Sequence, residues 1–362
     1  MSLSIILTIF VFIIGLQIAV PYLVKRTVIF GVTVPEQFIN NDNLKLFKKR
    51  YFISMLAISI VIMVAFLVWA LESNRNDEQI VIAGTMMQFG VILISLSLYI
   101  YFHAKTKQLK KESKWTENLK EVRLTDLSIR SQDEMLSSYV YFLPMIVTLG
   151  VICYTIFQYD ILPNQIPTHW GPSGEPDAFT KKTPFTAIQL PLFLLIMQIM
   201  FLAIHIATKK SGIKLSATNI QASRNRQLGL RKYSSWFTFV VVLLVTMLFS
   251  YFQLTMIHSN LFSGMKFLIP FAFLVLVLIG TSVFALKVGR TDKGDPVQVE
   301  ENITDIDEDR YWKGGLFYFN KNDPSIFVEK RFGVGWTLNM ANPIGYFIVL
   351  IPLVIILLIS FL

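Results

Sequence analysis

The sequence predicts an all-α polytopic membrane protein, with about eight transmembrane helices and a small cytoplasmic domain containing a β-hairpin. Three observations carry that expectation. Apolar residues make up 54% of the 362 positions and charged residues only 16%. Uninterrupted uncharged runs recur along the chain, several reaching the ~20 residues that cross ~30 Å of hydrocarbon. Of the 33 Lys and Arg residues, 29 fall in alternate loops and four in the remaining loops.

Taken in order, the spans read Leu3–Val24, Tyr51–Leu71, Ile80–Ala104, Tyr139–Gln158, Phe185–Ala207, Ser235–Ile257, Phe267–Leu286 and Tyr346–Leu362. No basic residue precedes the first, and Lys25–Arg26 follow it, the reverse of a secretory signal peptide, so it reads as a retained anchor. Basic residues near spans resist translocation, so the odd loops are expected inside and both termini extracytoplasmic. Orientation accounts for the net charge of +9, and no nucleic-acid partner is expected. The basic stretch Ser211–Tyr233 is expected to lie against anionic inner-leaflet lipid. In Lys105–Met135, Trp115, Leu119, Val122 and Leu127 recur at helical spacing, which predicts an amphipathic helix on the inner surface. The domain reading divides the chain at 1–138 (three spans), 139–207 (two spans around an outer loop), 208–286 (the sixth and seventh spans), 287–343 (an inner segment) and 344–362 (the last span).

Within the inner segment, Val297–Asp309 reads as an acidic solvated linker. Asp305, Asp307 and Asp309 begin like a calcium loop, but Arg310 stands where the turn needs glycine and Leu316 where a bidentate Glu is needed, so calcium is excluded. Beyond it, Leu316–Phe319 and Ile326–Glu329 read as the two strands of a hairpin around NKNDPS. FGV occurs at both Phe30–Val32 and Phe332–Val334, too little to define a repeat.

The stretch richest in chemistry is Asp160–Lys182, DILPNQIPTHWGPSGEPDAFTKK. Four prolines and two glycines predict a defined series of turns. They present His169, Trp170, Glu175 and Asp177 between two spans. Trp170 is expected to anchor the loop at the membrane interface. Glu175 and Asp177 are expected to cap turns by accepting backbone hydrogen bonds.

IPTHWGPSGEPDAF resembles the His-aromatic/Asn-x-x-Gly-x-x-Asp signature of bacterial membrane proteins similar to the Sdp immunity protein, through Ile166, Pro167, His169, Trp170, Gly174, Pro176 and Asp177. FGVTVPE after the first span resembles a segment similarly placed in that family. Gly314–Asn320, Asp323–Pro324 and Arg331–Asn339 resemble a small domain of unknown function found at the end of some such proteins. The resemblance implies a bacterial inner-membrane protein. Its ligand set would be His169, Trp170, Gly174 and Asp177, facing an extracellular peptide or lipid-like ligand, with a cytoplasmic regulator as a second partner.

Enzyme chemistry finds little support beside this. The four histidines, His103, His169, His205 and His258, show no metal-ligand spacing, and the lone Cys153 permits neither a disulfide nor a thiolate metal site. Neither a nucleophile elbow nor a phosphate loop is present, so no catalytic residue, cofactor or metal is expected. His169 and His258 share the outer side and are expected to meet there only if the fold brings them together. Carboxylates beside His169 keep a membrane enzyme open as an alternative, with His169 and Asp177 as acid and base on a lipid-linked or envelope substrate. A non-ion-coupled transporter is the other alternative, since no charged residue lies in any of the predicted spans. Gln88 and Gln198 are expected to bond to neighbouring helices.

Overall fold

The computed structural model describes residues 2–72, 75–117, 119–122, 124, 128–171, 175–258, 261, 263–292 and 303–360. Eight helices among them are long and apolar enough to cross a bilayer. They are α1 (Ser2–Leu23), α2 (Asp42–Leu71), α3 (Asp77–Glu112), α4 (Phe142–Phe157, led by a 3-10 turn), α5 (Pro184–Lys210), α6 (Ile220–Ile257), α7 (Leu268–Gly289) and α8 (Pro343–Ser360). The chain is a multi-pass membrane protein. Val61, Met86, Phe89, Ile146 and Leu358 face outward, as side chains do whose solvent is lipid.

The spans form two three-helix groups. Helices α1, α2 and α3 pack on one another, as do α4, α5 and α6, while α7 contacts both α1 and α6 and α8 packs on α5. Inside hydrocarbon, side-chain amides and hydroxyls find partners on neighbouring helices. Gln88 Nε2 donates to Ile6 O at 3.2 Å. Gln198 Nε2 reaches Thr148 Oγ1 at 2.8 Å and Thr246 Oγ1 at 2.9 Å, joining α5 to α4 and α6. Both glutamines therefore act as helix-to-helix ties, as their sequence positions implied. Each such bond contributes only ~0.6 kcal/mol on average, so packing does most of the work.

Several helices run well past their apolar cores. Helix α6 starts fifteen residues before the predicted span and carries Arg224, Arg226, Arg231 and Lys232 with it. For Arg226 and Arg231 this corrects the expectation that the basic stretch lies against lipid. Arg226 and Arg231 are each 1% exposed, and lipid headgroups do not reach them. Arg231 instead donates to Thr208 O, Ser211 O and Lys209 O at the end of α5 and pairs with Asp133 at 2.6 Å. It thereby satisfies carbonyls that a helix end leaves open.

The expected amphipathic helix is also absent among the described residues. Helix α3 ends at Glu112, turns follow, and Lys120–Val122 (β3) pairs in parallel with Ile303–Asp305 (β6). That pairing removes part of the acidic segment from the solvated linker predicted there; residues 293–302 lie outside the described residues. The aspartates of the excluded calcium loop take cations from the protein. Asp307 and Asp309 each lie 2.8 Å from Lys110 Nζ, and Asp309 meets Arg331 at 2.5 Å. Burial pushes the Asp309 carboxyl up, but Arg331 and Lys110 outweigh it and hold it below the usual carboxylate range.

The small domain holds two hairpins where one was predicted, and the predicted strands do not pair with each other. Trp312–Lys313 (β7) pairs with Phe317–Tyr318 (β8), and Phe327–Glu329 (β9) with Trp336–Leu338 (β10). Asn339 joins them, its Nδ2 donating to Asn320 O at 2.9 Å and Asp323 O at 3.0 Å. The NKNDPS turn is thus a strut between hairpins. The two FGV segments meet although they form no repeat: Phe30 and Phe332 pack on Tyr99, with ring centroids at 5.7 and 4.7 Å. Gly31 (φ +77) and Gly315 (φ +70) sit backbone to backbone there. A Cβ on Gly31 would lie 2.6 Å from the Gly315 Cα, so both the conformation and the approach require glycine.

Candidate functional site

The loop between α4 and α5 is a β-hairpin, with Gln165–Trp170 (β4) antiparallel to Pro176–Lys181 (β5). Ile166, Thr168, Trp170, Phe179 and Thr180 suit strands, and prolines are tolerated because both strands are edges. The register explains the site. Pro167 pairs with Phe179, His169 with Ala178 and Trp170 with Pro176, which leaves Thr168 and Asp177 as offsetting bulges. A bulge re-aims the side chains around it, and here His169 Nδ1 comes to 2.5 Å from Asp177 Oδ1. Both side chains stay exposed, at 68% and 50%. Even a charged pair so exposed contributes roughly 0–1 kcal/mol, so the fold gains little from holding these groups together.

Gly171 makes room for the pair, since a Cβ there would lie 3.0 Å from Asp177 Oδ2. Its N–H donates to Glu175 O at 2.9 Å. The Glu175 side chain pairs with Lys266 at 3.0 Å, tying the tip to the segment before α7. Asp177 faces the histidine and Glu175 a lysine; residues 172–174 of the turn they flank lie outside the described residues. At the base, Lys182 Nζ donates to Leu162 O at 2.9 Å and lies over the Tyr159 ring. Ile166 is buried with Leu162, Ala187 and Ile257. Trp170 stacks on Phe252 of α6 with centroids 4.5 Å apart, so a helix side chain anchors it. Gly174, the fourth residue of the predicted set, lies outside the described residues.

The other histidines do not join this site. His258 bonds to Tyr154 Oη at 2.7 Å, His103 Nδ1 bonds to Phe30 O at 2.7 Å, and His205 Nε2 bonds to Leu136 O at 3.0 Å. No cluster of three or more metal-ligating residues occurs among the described residues.

Beneath the hairpin lies a cleft of about 350 Å³. Thr168, Trp170 and Thr180 of the hairpin border it, with Gln189 and Phe193 of α5, Gln253 and Met256 of α6, and Ser360 at the end of α8. Sequence reasoning missed Gln253. The signal was available: an amide within an apolar run, the pattern that marked Gln88 and Gln198.

Residues 146–195 match the model of a domain of unknown function (DUF1648), and residues 321–346 match that of a family of unknown function (DUF5808). The first match spans most of α4, the hairpin and the first part of α5, and the second covers β9, β10 and the start of α8. No curated protein and no solved structure matches the chain.

Proposed function

We propose that this chain is a non-enzymatic, bacterial inner-membrane binding protein whose outward hairpin takes an extracellular peptide or lipid-like ligand, in immunity, sensing or envelope stress. The observation that carries the reading is the exposed His169–Asp177 pair, which two bulges and Gly171 hold in place and which the fold does not need. The resemblance of the surrounding signature to the Sdp immunity family supports it. The two-span unit 139–207 is the ligand-binding unit. Segment 287–343 is the inner layer, through which a cytoplasmic regulator senses the ligand. The distribution of basic residues supports that orientation, with Ser2 and Ser360 on the outer side.

In a deletion strain challenged with secreted amphipathic peptides, His169→Ala is expected to abolish protection at normal membrane abundance. Trp170→Ala lowers abundance as well, because it removes the stack on Phe252. Wild-type protection by His169→Ala at normal abundance, or its degradation, defeats the reading. The 2.5 Å contact also favours a second reading, acid–base catalysis on an envelope substrate. Asp177→Asn separates the two: a binding site loses affinity in a graded way, whereas an acid–base pair loses turnover by about two decades or more.

Orientation has its own test. With Cys153 changed to Ser, Ala178→Cys on exposed β5 is expected to react with an impermeant maleimide on intact cells. Asn225→Cys, exposed on the inner extension of α6, reacts only after permeabilisation. Labelling of both from outside excludes the proposed orientation.

A further inference from the structure

We propose that the outward face of the β7–β8 hairpin is a membrane-contact surface that takes anionic lipid headgroups, on the side of the bilayer where α8 begins. It belongs to the small domain, and does not depend on the ligand reading of the His169–Asp177 pair.

Alternation along the hairpin sorts its residues. Trp312 and Tyr318 turn inward, 6% and 0% exposed, with ring centroids 5.1 Å apart. The period of two turns their neighbours outward. Lys313 stands opposite Phe317, and Phe319 N donates to Tyr311 O at 2.9 Å. Phe317 and Phe319 are 54% and 43% exposed. Lys313 and the flanking Arg310 and Lys321 are exposed as well. Bare aromatic rings set among cations mark a contact surface.

Three helices mark the level of that face. Gly315, in the hairpin turn, lies against His103, since a Cβ there would stand 2.8 Å from His103 Nδ1. His103 comes just before Lys105, the first charge after the apolar core of α3. Gly31, whose backbone touches Gly315, belongs to the turn whose Phe30 packs on Tyr51 at 5.6 Å. Tyr51 follows Arg50, the last charge before the apolar core of α2. Met340 N donates to Tyr318 O at 2.8 Å, and Pro343 then opens α8, which carries no charge. The hairpin turn therefore stands where three apolar cores end. Asp309, at the hairpin root, reaches Lys110, about 10 Å farther along α3 than His103. Phe317 and Phe319 lie between these marks, at the level of a headgroup layer ~5–8 Å thick.

Charge selects the lipid. Every acid from Asp305 to Glu329 pairs with a cation, among them Asp307 with Lys110, Glu308 and Asp323 with Lys214, and Glu329 with Arg226. Arg310, Lys313 and Lys321 meet no carboxylate among the described residues. Arg310 lies over the Tyr311 ring, and Lys313 Nζ reaches Arg310 O only at 3.4 Å. Aromatic rings favour the headgroup level. Each cation beside an anionic surface adds about fivefold to the preference for it. A neutral bilayer supplies the apolar attraction alone.

The test uses the full-length protein with Cys153→Ser and Phe317→Cys, the new thiol carrying an apolar nitroxide. It is reconstituted in phosphatidylcholine vesicles with or without phosphatidylglycerol. Power saturation compares collisions with oxygen, which concentrates in hydrocarbon, and with a nickel chelate, which stays in water. With phosphatidylglycerol present the label is expected to meet oxygen more than nickel, and without it to shift toward nickel. Lys313→Gln/Lys321→Gln removes two cations and lowers the immersed-to-open ratio about thirtyfold even with phosphatidylglycerol. A label at Asn225→Cys, exposed on α6, stays open to nickel throughout. Phe319→Cys carries the same label and decides the matter if Phe317→Cys does not fold. A label open to nickel in phosphatidylglycerol vesicles, or immersed equally in both lipids, overturns the proposal. A label open in vesicles but shielded in native membranes overturns it too, and assigns the face to a protein partner.

Discussion

Asp309→Asn is expected to release the small domain from the helices beneath it. Asp309 accepts from Thr33 N at 2.9 Å and Lys110 Nζ at 2.8 Å, and pairs with Arg331 at 2.5 Å. It is the point where the β1–β2 turn (β1 Val28–Ile29, β2 Val32–Thr33), α3 and the small domain meet. Removing the charge leaves Arg331, 7% exposed, with its partner neutralised, a change that costs ~3–5 kcal/mol when a buried pair is broken. A loss of 3 kcal/mol raises the open population about a hundredfold, so amide exchange in β9 and β10 accelerates by that factor. The exposed pair Lys45–Asp42 is the control, since Asp42→Asn changes exchange little. Acid gives the same result by another route. A carboxyl held below its unfolded value contributes its stability in full above the unfolded carboxylate range, and loses it as pH falls through that range toward the folded value. Docking is therefore steady between about pH 5 and 7 and weakens below about pH 4. Asp309→Asn shows a lower plateau and lacks this group's acid limb. Unchanged exchange in Asp309→Asn sinks the assignment.

What the sequence revealed and what it hid follow from the range of the interactions. A span is a local property, so an uncharged run such as Phe267–Leu286 predicts α7 to within a few residues. The hairpin site was legible as residues, because His169, Trp170 and Asp177 share one short loop, but not as geometry. Prolines inside both strands masked the hairpin, and only the two bulges bring His169 to Asp177. The layer formed by the small domain was hidden for another reason. Arg331 bonds to Gly31 O across 300 positions, and Lys110 finds Asp309 across 199. No window along the chain holds both partners, so Asp305, Asp307 and Asp309 read as a failed calcium loop and Arg226 as a lipid-facing charge. Composition gave the right inventory and the wrong neighbours.

The same reasoning makes Arg226 a central side chain of the layer formed by the small domain. Its Nη2 donates to Leu23 O at 3.0 Å, its Nη1 to Val288 O at 2.8 Å and its Nε to Glu329 at 2.7 Å. One guanidinium on α6 thus closes the ends of α1 and α7 and holds β9 of the small domain. Helix C-termini carry partial negative charge and open carbonyls, so a buried cation there stabilises both ends at once. Arg226→Met is expected to cost ~3–5 kcal/mol, because Glu329 and two carbonyls lose their donor in a buried place. Gln227 still donates to Glu329 at 2.7 Å but cannot reach the helix ends. Arg226→Lys recovers only part, since a single ammonium lacks the planar fork that serves three acceptors. Thermal unfolding of the purified protein in detergent measures both, and Glu329→Gln supplies the discriminating cycle. If the penalty comes from the orphaned carboxylate, the double variant Arg226→Met/Glu329→Gln is less destabilised than the sum of the singles by about 1–3 kcal/mol. If it comes from the helix ends, the two penalties add. Arg226→Met with wild-type stability would show that the layer stands without this tie, and that the docking of the small domain rests on its other contacts, Asp309 among them.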